Sequence, residues 1–86
     1  MLQPYKTAEF AKDIETFHND PKKVAKILSL IEDACEHPYS GLGKPEPLRY
    51  GLQGYWSRRI DKVNRLIYRV IEPDLILISC VGHYGR

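Results

Sequence analysis

The chain of 86 residues is poor in cysteine and has no long apolar segment. Its two cysteines, Cys35 and Cys80, lie far apart, and their spacing matches neither a zinc site nor a redox motif. Residues 1–7 lack the apolar run of a signal peptide, and the longest apolar stretch, residues 75–78, is too short to span a bilayer. We therefore expect a cytoplasmic protein with reduced thiols, without a disulfide and without a membrane partner.

Positive charge is concentrated in one part of the chain. The net charge of the whole chain is only +2. Between Lys44 and Arg69, however, basic residues greatly outnumber the two acids, Glu46 and Asp61. The basic residues are Lys44, Arg49, Arg58, Arg59, Lys62, Arg65 and Arg69. Because apolar and aromatic residues alternate with them, this segment is typical of a surface that binds, or cleaves, a polyanion.

The length predicts a single domain over residues 1–86, and the first half is helical in pattern. A helix is expected over residues 8–18, with Thr7 as its N-cap. A second helix is expected to begin at Pro21, with Asp20 as its cap, and to end at the His37-Pro38 break. Its predicted apolar face consists of Val24, Ile27, Leu28, Ile31 and Ala34.

The second half has the alternation of strands. Strands are expected at residues 48–52, 56–61, 65–71 and 75–82, and short turns make them antiparallel neighbours. Residues 2–5 could add a strand at a sheet edge, because Pro4 cannot donate to a ladder. Helices followed by such a meander predict an α+β domain with two layers.

Strand alternation places the basic side chains. Leu48, Tyr50 and Leu52 should face the helices, as should Leu66, Tyr68 and Val70. Arg49, Arg59 and Arg65 should then converge on the opposite, open face of the sheet. Alternation sends the charged side chain of Arg58 toward the apolar core. A bulge, an edge position or an ion pair with a helix carboxylate would resolve this conflict.

Cleavage of RNA is one chemistry that these residues could perform. The ribose 2′-OH can attack its own phosphate, so the protein need supply only a base, an acid and cations. Glu46, held extended between Pro45 and Pro47, is the candidate base, and His83 is the candidate acid. Each residue also has a simpler explanation, because Glu46 could be a solvated carboxylate and His83 a structural residue.

The blocks GKPEPL, GYWSRRI, NRLIY and a closing HY, within residues 38–84, closely resemble the YoeB/Txe toxins of the RelE/ParE superfamily. These are bacterial endoribonucleases of type II toxin–antitoxin modules that cut mRNA in the ribosomal A site. The resemblance implies a RelE-like fold, with two N-terminal helices packed on a twisted, mainly antiparallel sheet of four to five strands. It implies that Glu46 is the general base, that Arg65 stabilises the transition state, and that His83 is the general acid, assisted by Tyr84.

The resemblance also implies the wider site and its partners. Lys44, Arg49, Arg58 and Arg59 are expected to bind RNA phosphates, and no metal or cofactor is expected. The products would be a 2′,3′-cyclic or 3′-phosphate and a 5′-OH. The expected partners are mRNA, the ribosome and a YefM/Phd-type antitoxin whose acidic segment folds over the basic site, and a homodimer is left open. Operator DNA would be contacted only through the antitoxin.

Two other functions stay open. A ParE-like chain of the same fold would inhibit a topoisomerase, although such chains generally lack the Glu/Arg/His set. A plain basic RNA-binding module would bind RNA without cutting it. The sequence also departs from the family pattern at Asn64, where His is common, and at its end, where Gly85 and Arg86 follow the HY pair.

Overall fold

The computed structural model describes residues 1–82, which form two helices and a five-stranded mixed sheet. The elements in chain order are β1 (Gln3–Lys6), α1 (Ala8–Glu15), α2 (Pro21–Glu36), β2 (Glu46–Pro47), β3 (Tyr55–Arg59), β4 (Arg65–Ile71) and β5 (Asp74–Ser79). The strand order is β1-β5-β4-β3-β2, and only β1 pairs in parallel, with β5. The predicted α+β class is confirmed, and β1 occupies the edge that Pro4 requires.

Both helices begin at the predicted caps. The Thr7 hydroxyl accepts a hydrogen bond from the Phe10 N–H, and the Asp20 carboxylate accepts one from the Lys23 N–H. The first helix ends at Glu15, earlier than the predicted residue 18. The hydrogen-bond pattern there changes to that of a 3₁₀ turn, because the Thr16 N–H donates to the carbonyl of Asp13, three residues earlier.

The core lies between α2, α1 and the inner face of the sheet. The buried residues of α2 are Ile27, Leu30, Ile31, Ala34 and Cys35. The prediction was wrong for Leu28, which is 55 % exposed, because the buried stripe is centred on Leu30, on the other side of the helix. Leu66 and Tyr68 of β4 face this core as predicted.

The segment 48–52 is not a strand, contrary to prediction. The pairing with β3 is limited to Glu46–Pro47, followed by one bond from the Leu48 N–H to the Tyr55 carbonyl. Tyr50 has a left-handed backbone (φ 56°) and is 88 % exposed, so it cannot face the helices. Alternation fails here because the chain turns back toward β3 at Tyr50 and Gly51.

Both cysteines are buried and carry free thiols. Burial raises the pKa of the Cys80 thiol to about 12 and also raises that of Cys35. Within residues 1–82, neither helix combines the length and the apolar character needed to cross a membrane.

Candidate functional site

The face of the sheet opposite the helices, referred to as the open face although Ser57 and Ile67 on it are buried, brings together three of the predicted site residues. Glu46 pairs with Ser57 across β2 and β3, and Arg59 pairs with Arg65 across β3 and β4. Directly paired residues share a face, with Cβ atoms about 5 Å apart. Ser57 and Arg59 are two positions apart in one strand. The Glu46–Ser57 pair and the Arg59–Arg65 pair are therefore separated by roughly 7 Å along the strands.

Arg65 is fixed in position by the main chain. Its Nη1 donates to the carbonyl of Asp61 at 2.7 Å and to that of Asn64 at 3.1 Å. Neither acceptor is a carboxylate, and the Arg65 side chain is part of no ion pair among the described residues. No described carboxylate neutralises the guanidinium, and the two carbonyls hold it in one orientation. Both features favour binding of an anion such as phosphate.

Glu46 is exposed at the edge of the sheet and is carried by a glycine-containing loop. The carbonyl of Gly43 in that loop accepts a bond of 2.7 Å from the Arg59 N–H. Gly43 has a left-handed backbone (φ 79°), and a Cβ there would lie 2.9 Å from Leu30 Cδ2. The loop before Glu46 is thus seated against the core and joined to the strand that bears Arg59.

Arg58 is a structural residue, and its predicted role in RNA binding is wrong. Its side chain is fully buried, and its Nη1 lies 2.6 Å from the Asp33 carboxylate of α2. Its Nε donates to the Tyr68 hydroxyl. The two terminal nitrogens also donate to the carbonyls of His37, Ser40 and Leu42. The ion pair considered from the sequence resolves the conflict with alternation, and it leaves no donor for a phosphate.

Arg49 and Lys44 lie in exposed loop positions outside the strands. Arg49 follows β2, where alternation no longer applies, so its predicted place beside Arg59 and Arg65 does not follow from strand phase. Lys44 lies two residues before Glu46 and has a left-handed backbone (φ 53°). Both residues are exposed to solvent.

His83 and Tyr84 lie outside the described residues. Gly82, which precedes them, is bonded on two sides: its N–H donates to Asn64 Oδ1 at 2.9 Å, and its carbonyl accepts from the Arg65 N–H at 2.8 Å. Gly82, the last described residue, therefore lies next to Arg65.

Asp61 and Asn64 were not predicted to belong to the site. Asp61 accepts hydrogen bonds from Lys23 Nζ, from the N–H groups of Val63 and Asn64, and from Asn64 Nδ2. The bond from Lys23 is the main reason that the pKa of Asp61 is well below its usual value. An Asp followed by Asn three residues later in a turn was the available sequence signal.

Arg69 lies on the open face beyond Tyr55, its partner in β3. Its guanidinium carbon is 4.8 Å from the centre of the Tyr55 ring, so it is engaged in a cation–π contact. Within residues 1–82, no three His, Cys, Asp or Glu side chains are grouped so that they could hold a metal ion.

Comparison with known proteins gives consistent matches over nearly the whole chain. Residues 6–84 match the model of a family described as YoeB-like toxin of bacterial type II toxin-antitoxin system. Toxin YoeB of Synechocystis sp. is 48 % identical over 68 residues, which are 79 % of each chain. Toxin YoeB of Escherichia coli K12 is 46 % identical over 65 residues, which cover 76 % of this chain and 77 % of that protein.

Solved structures agree with these matches. A YoeB/ParE toxin from Agrobacterium tumefaciens superposes with a TM-score of 0.90 at 41 % identity, covering 96 % of this chain and 100 % of the other. A YoeB dimer from Staphylococcus aureus has a TM-score of 0.88 at 36 % identity, covering 96 % and 98 %. A heterotetrameric YoeB–YefM complex from the same organism has a TM-score of 0.86 at 36 % identity, covering 98 % and 99 %.

Proposed function

The chain belongs to the YoeB-like toxins of bacterial type II toxin–antitoxin systems, and from this premise we propose that it is a ribosome-dependent endoribonuclease that cuts mRNA in the A site. The family expected from the sequence motifs is confirmed. The observation that carries the proposal is that Glu46 and the Arg59–Arg65 pair share the open face of the sheet. A base and two cations are the parts that cleavage through the ribose 2′-OH requires on one surface.

In the proposed reaction, Glu46 takes the proton of the ribose 2′-OH. The 2′-oxygen then forms a bond to the adjacent phosphorus, and the bond from phosphorus to the 5′-oxygen breaks. His83, assisted by Tyr84, gives a proton to that 5′-oxygen. The products are a 2′,3′-cyclic phosphate, which water can open to a 3′-phosphate, and a 5′-OH. No metal or cofactor takes part in these steps.

The cations have separate tasks in this proposal. Arg65, oriented by two carbonyls, stabilises the charge that develops on the phosphorane. Arg59 binds the same phosphate group, and the exposed Arg49 and Lys44 contact neighbouring phosphates of the RNA strand. Arg58 has no part in this set, because its donors are used inside the fold.

The proposed partners follow from the family. The S. aureus relative forms a complex with YefM, so we extend to this chain a YefM/Phd-type antitoxin whose acidic, disordered segment folds over the basic face. The S. aureus YoeB dimer supports self-association as part of the proposal. Operator DNA would then be reached only through the antitoxin, and the toxin would act in the cytoplasm.

Cleavage of ribosome-bound mRNA by the purified protein tests the activity. Cut sites are mapped in a translation reaction with the wild type and with the Glu46→Gln variant, which keeps the shape of the side chain. We expect Glu46→Gln to cut about 10²- to 10⁴-fold more slowly. Glu36→Gln, which removes the same charge from an exposed position at the end of α2, serves as the matched control and should cut at the wild-type rate.

The nature of the nucleophile is tested with an mRNA that carries a 2′-deoxy nucleotide at the mapped site. This substrate should resist cleavage, and EDTA at a concentration that keeps the ribosome intact should not slow the cutting of the normal mRNA. Cleavage of the deoxy substrate would refute the mechanism. Salt-sensitive binding without any cut product would favour the RNA-binding module, and inhibition of a topoisomerase in a supercoiling assay would favour a ParE-like function.

A further inference from the structure

The Asn64 side chain connects the turn between β3 and β4 to the segment that follows the last strand, β5. Its Oδ1 accepts the Gly82 N–H at 2.9 Å, and its Nδ2 donates to Asp61 Oδ2 at 3.1 Å. The next residue, Arg65, donates its backbone N–H to the Gly82 carbonyl at 2.8 Å. Both polar groups of the Gly82 main chain are thus bonded to consecutive residues at the start of β4.

The sheet itself does not provide this connection. The ladder between β4 and β5 ends at the pair Ile67 and Ser79, next to an irregularity in the register. Gly82 lies three residues beyond Ser79 and has a left-handed backbone (φ 76°). The position of Gly82 is therefore set by its two hydrogen bonds rather than by strand pairing.

Asp61 anchors the Asn64 side chain to the second helix. Its carboxylate accepts from Asn64 Nδ2 and from Lys23 Nζ, the latter at 2.9 Å. The hydrogen bond from Lys23 holds the pKa of Asp61 below its usual range, which favours the ionised form that accepts both bonds. A continuous chain of hydrogen bonds thus runs from α2 through Asp61 and Asn64 to Gly82.

We propose that Asn64 is a positioning residue: its side chain fixes Gly82 against Arg65, and catalysis by His83, the next residue in the sequence, depends on that fixing. The effect on catalysis rests on the proposed function, because it requires His83 to be the acid. The guanidinium of Arg65 should keep its position when the Asn64 side chain is lost, since both of its hydrogen bonds go to main-chain carbonyls, those of Asp61 and Asn64.

Hydrogen exchange at the Gly82 amide, measured by NMR, tests the contact without reference to activity. In Asn64→Ala the protection of this amide should fall by about fivefold or more, the factor that corresponds to one hydrogen bond. Val63→Ala, which shortens an exposed side chain in the same turn, is the matched control and should leave the Gly82 protection unchanged. Unchanged protection in Asn64→Ala would overturn the proposal, whether or not the protein cuts RNA.

Single-turnover cleavage tests the route through His83. Asn64→Ala should lower the rate at saturation about 10- to 100-fold, the range that a misplacement of about 1 Å produces, and change KM less than about twofold. In a His83→Ala background the same substitution should have almost no further effect. An equal loss in both backgrounds would show that Asn64 does not act through His83.

Two further results separate the proposals from each other. If the wild type cuts no RNA, the proposed function fails while the Gly82 exchange measurement still decides the contact. If Asn64→Ala does not fold, as judged by circular dichroism, Asn64→Gln replaces it. Its amide is one methylene farther out, so Gly82 protection and cleavage should both fall, and wild-type values for both would refute the proposal.

Discussion

Replacing Arg58 by methionine is expected to destabilise the fold, whereas the same replacement of its neighbour Arg59 is expected to affect cleavage only. Methionine keeps the unbranched stem and removes the guanidinium. Arg58 is fully buried and lies 2.6 Å from Asp33, while Arg59 is exposed on the open face. The pair therefore tests, within one dipeptide, which arginine belongs to the interior and which to the site.

The magnitude for Arg58→Met follows from its contacts. Removal of one partner from a buried ion pair costs about 3–5 kcal/mol. The lower end applies here, because the Asp33 side chain is 21 % exposed and can regain water. A loss of about 3 kcal/mol is a large part of the 5–15 kcal/mol typical of such domains, and it corresponds to a fall in Tm of roughly 12–24 °C. For Arg59→Met the change should stay within about 0.5 kcal/mol, the usual limit for surface substitutions.

Urea denaturation followed by tryptophan fluorescence measures both changes. Trp56 is the sole tryptophan, and its ring centre lies 4.8 Å from that of Tyr39, in the loop whose carbonyls accept from Arg58. Arg58→Lys keeps the charge but loses the planar fork, so its stability should be intermediate. Stability of Arg58→Met within 1 kcal/mol of the wild type, or a larger loss in Arg59→Met, would refute the assignment.

Two other predictions follow from the same fold. The hydrogen bond from Arg58 lowers the pKa of Asp33 in the folded state. The ionised Asp33 carboxylate therefore stabilises the fold above pH 3.8, its ordinary pKa, and this stabilisation is lost as the pH falls through the lower folded-state pKa. Urea titrations carried from pH 5 to about pH 2 should show this loss below pH 3.8, and an equally steep loss in Asp33→Asn would contradict it. Gly43→Ala should cost about 1–3 kcal/mol more than Gly51→Ala, because only the first added Cβ meets neighbours within 4 Å while both residues have positive φ. Equal losses of unfolding free energy would refute this.

Much of the helical layer was predictable because its signals are local. Thr7 and Asp20 bond to N–H groups three residues later, and Pro21 suits only the first turn, so the helix starts followed directly from the sequence. The exposure of Leu28 was not predictable with the same rules. Because leucines stand at both 28 and 30, on opposite sides of the helix, the sequence offers two apolar faces. Packing against the sheet determines which of them is buried.

The strands were predictable where alternation is uninterrupted, as in Arg65–Ile71. Alternation also gave the shared face of Arg59 and Arg65. It failed at Tyr50, because a tyrosine with positive φ is uncommon and carries no sequence signal. The contact of Asn64 with Gly82 could not be predicted either, since it depends on how two elements outside the regular ladder meet in space.

The parallel pairing of β1 with β5 has a consequence for synthesis of the chain. The strand that is made first lies beside the one that is made last among the described elements, and Thr7, which caps α1, donates to the carbonyl of Leu77. A nascent chain that lacks β5 therefore has no partner for β1, no carbonyl to accept the Thr7 hydroxyl and no neighbour for β4 on that side. The sheet closes only after residue 79 is available, so a shorter nascent chain cannot form the strand order β1-β5-β4-β3-β2.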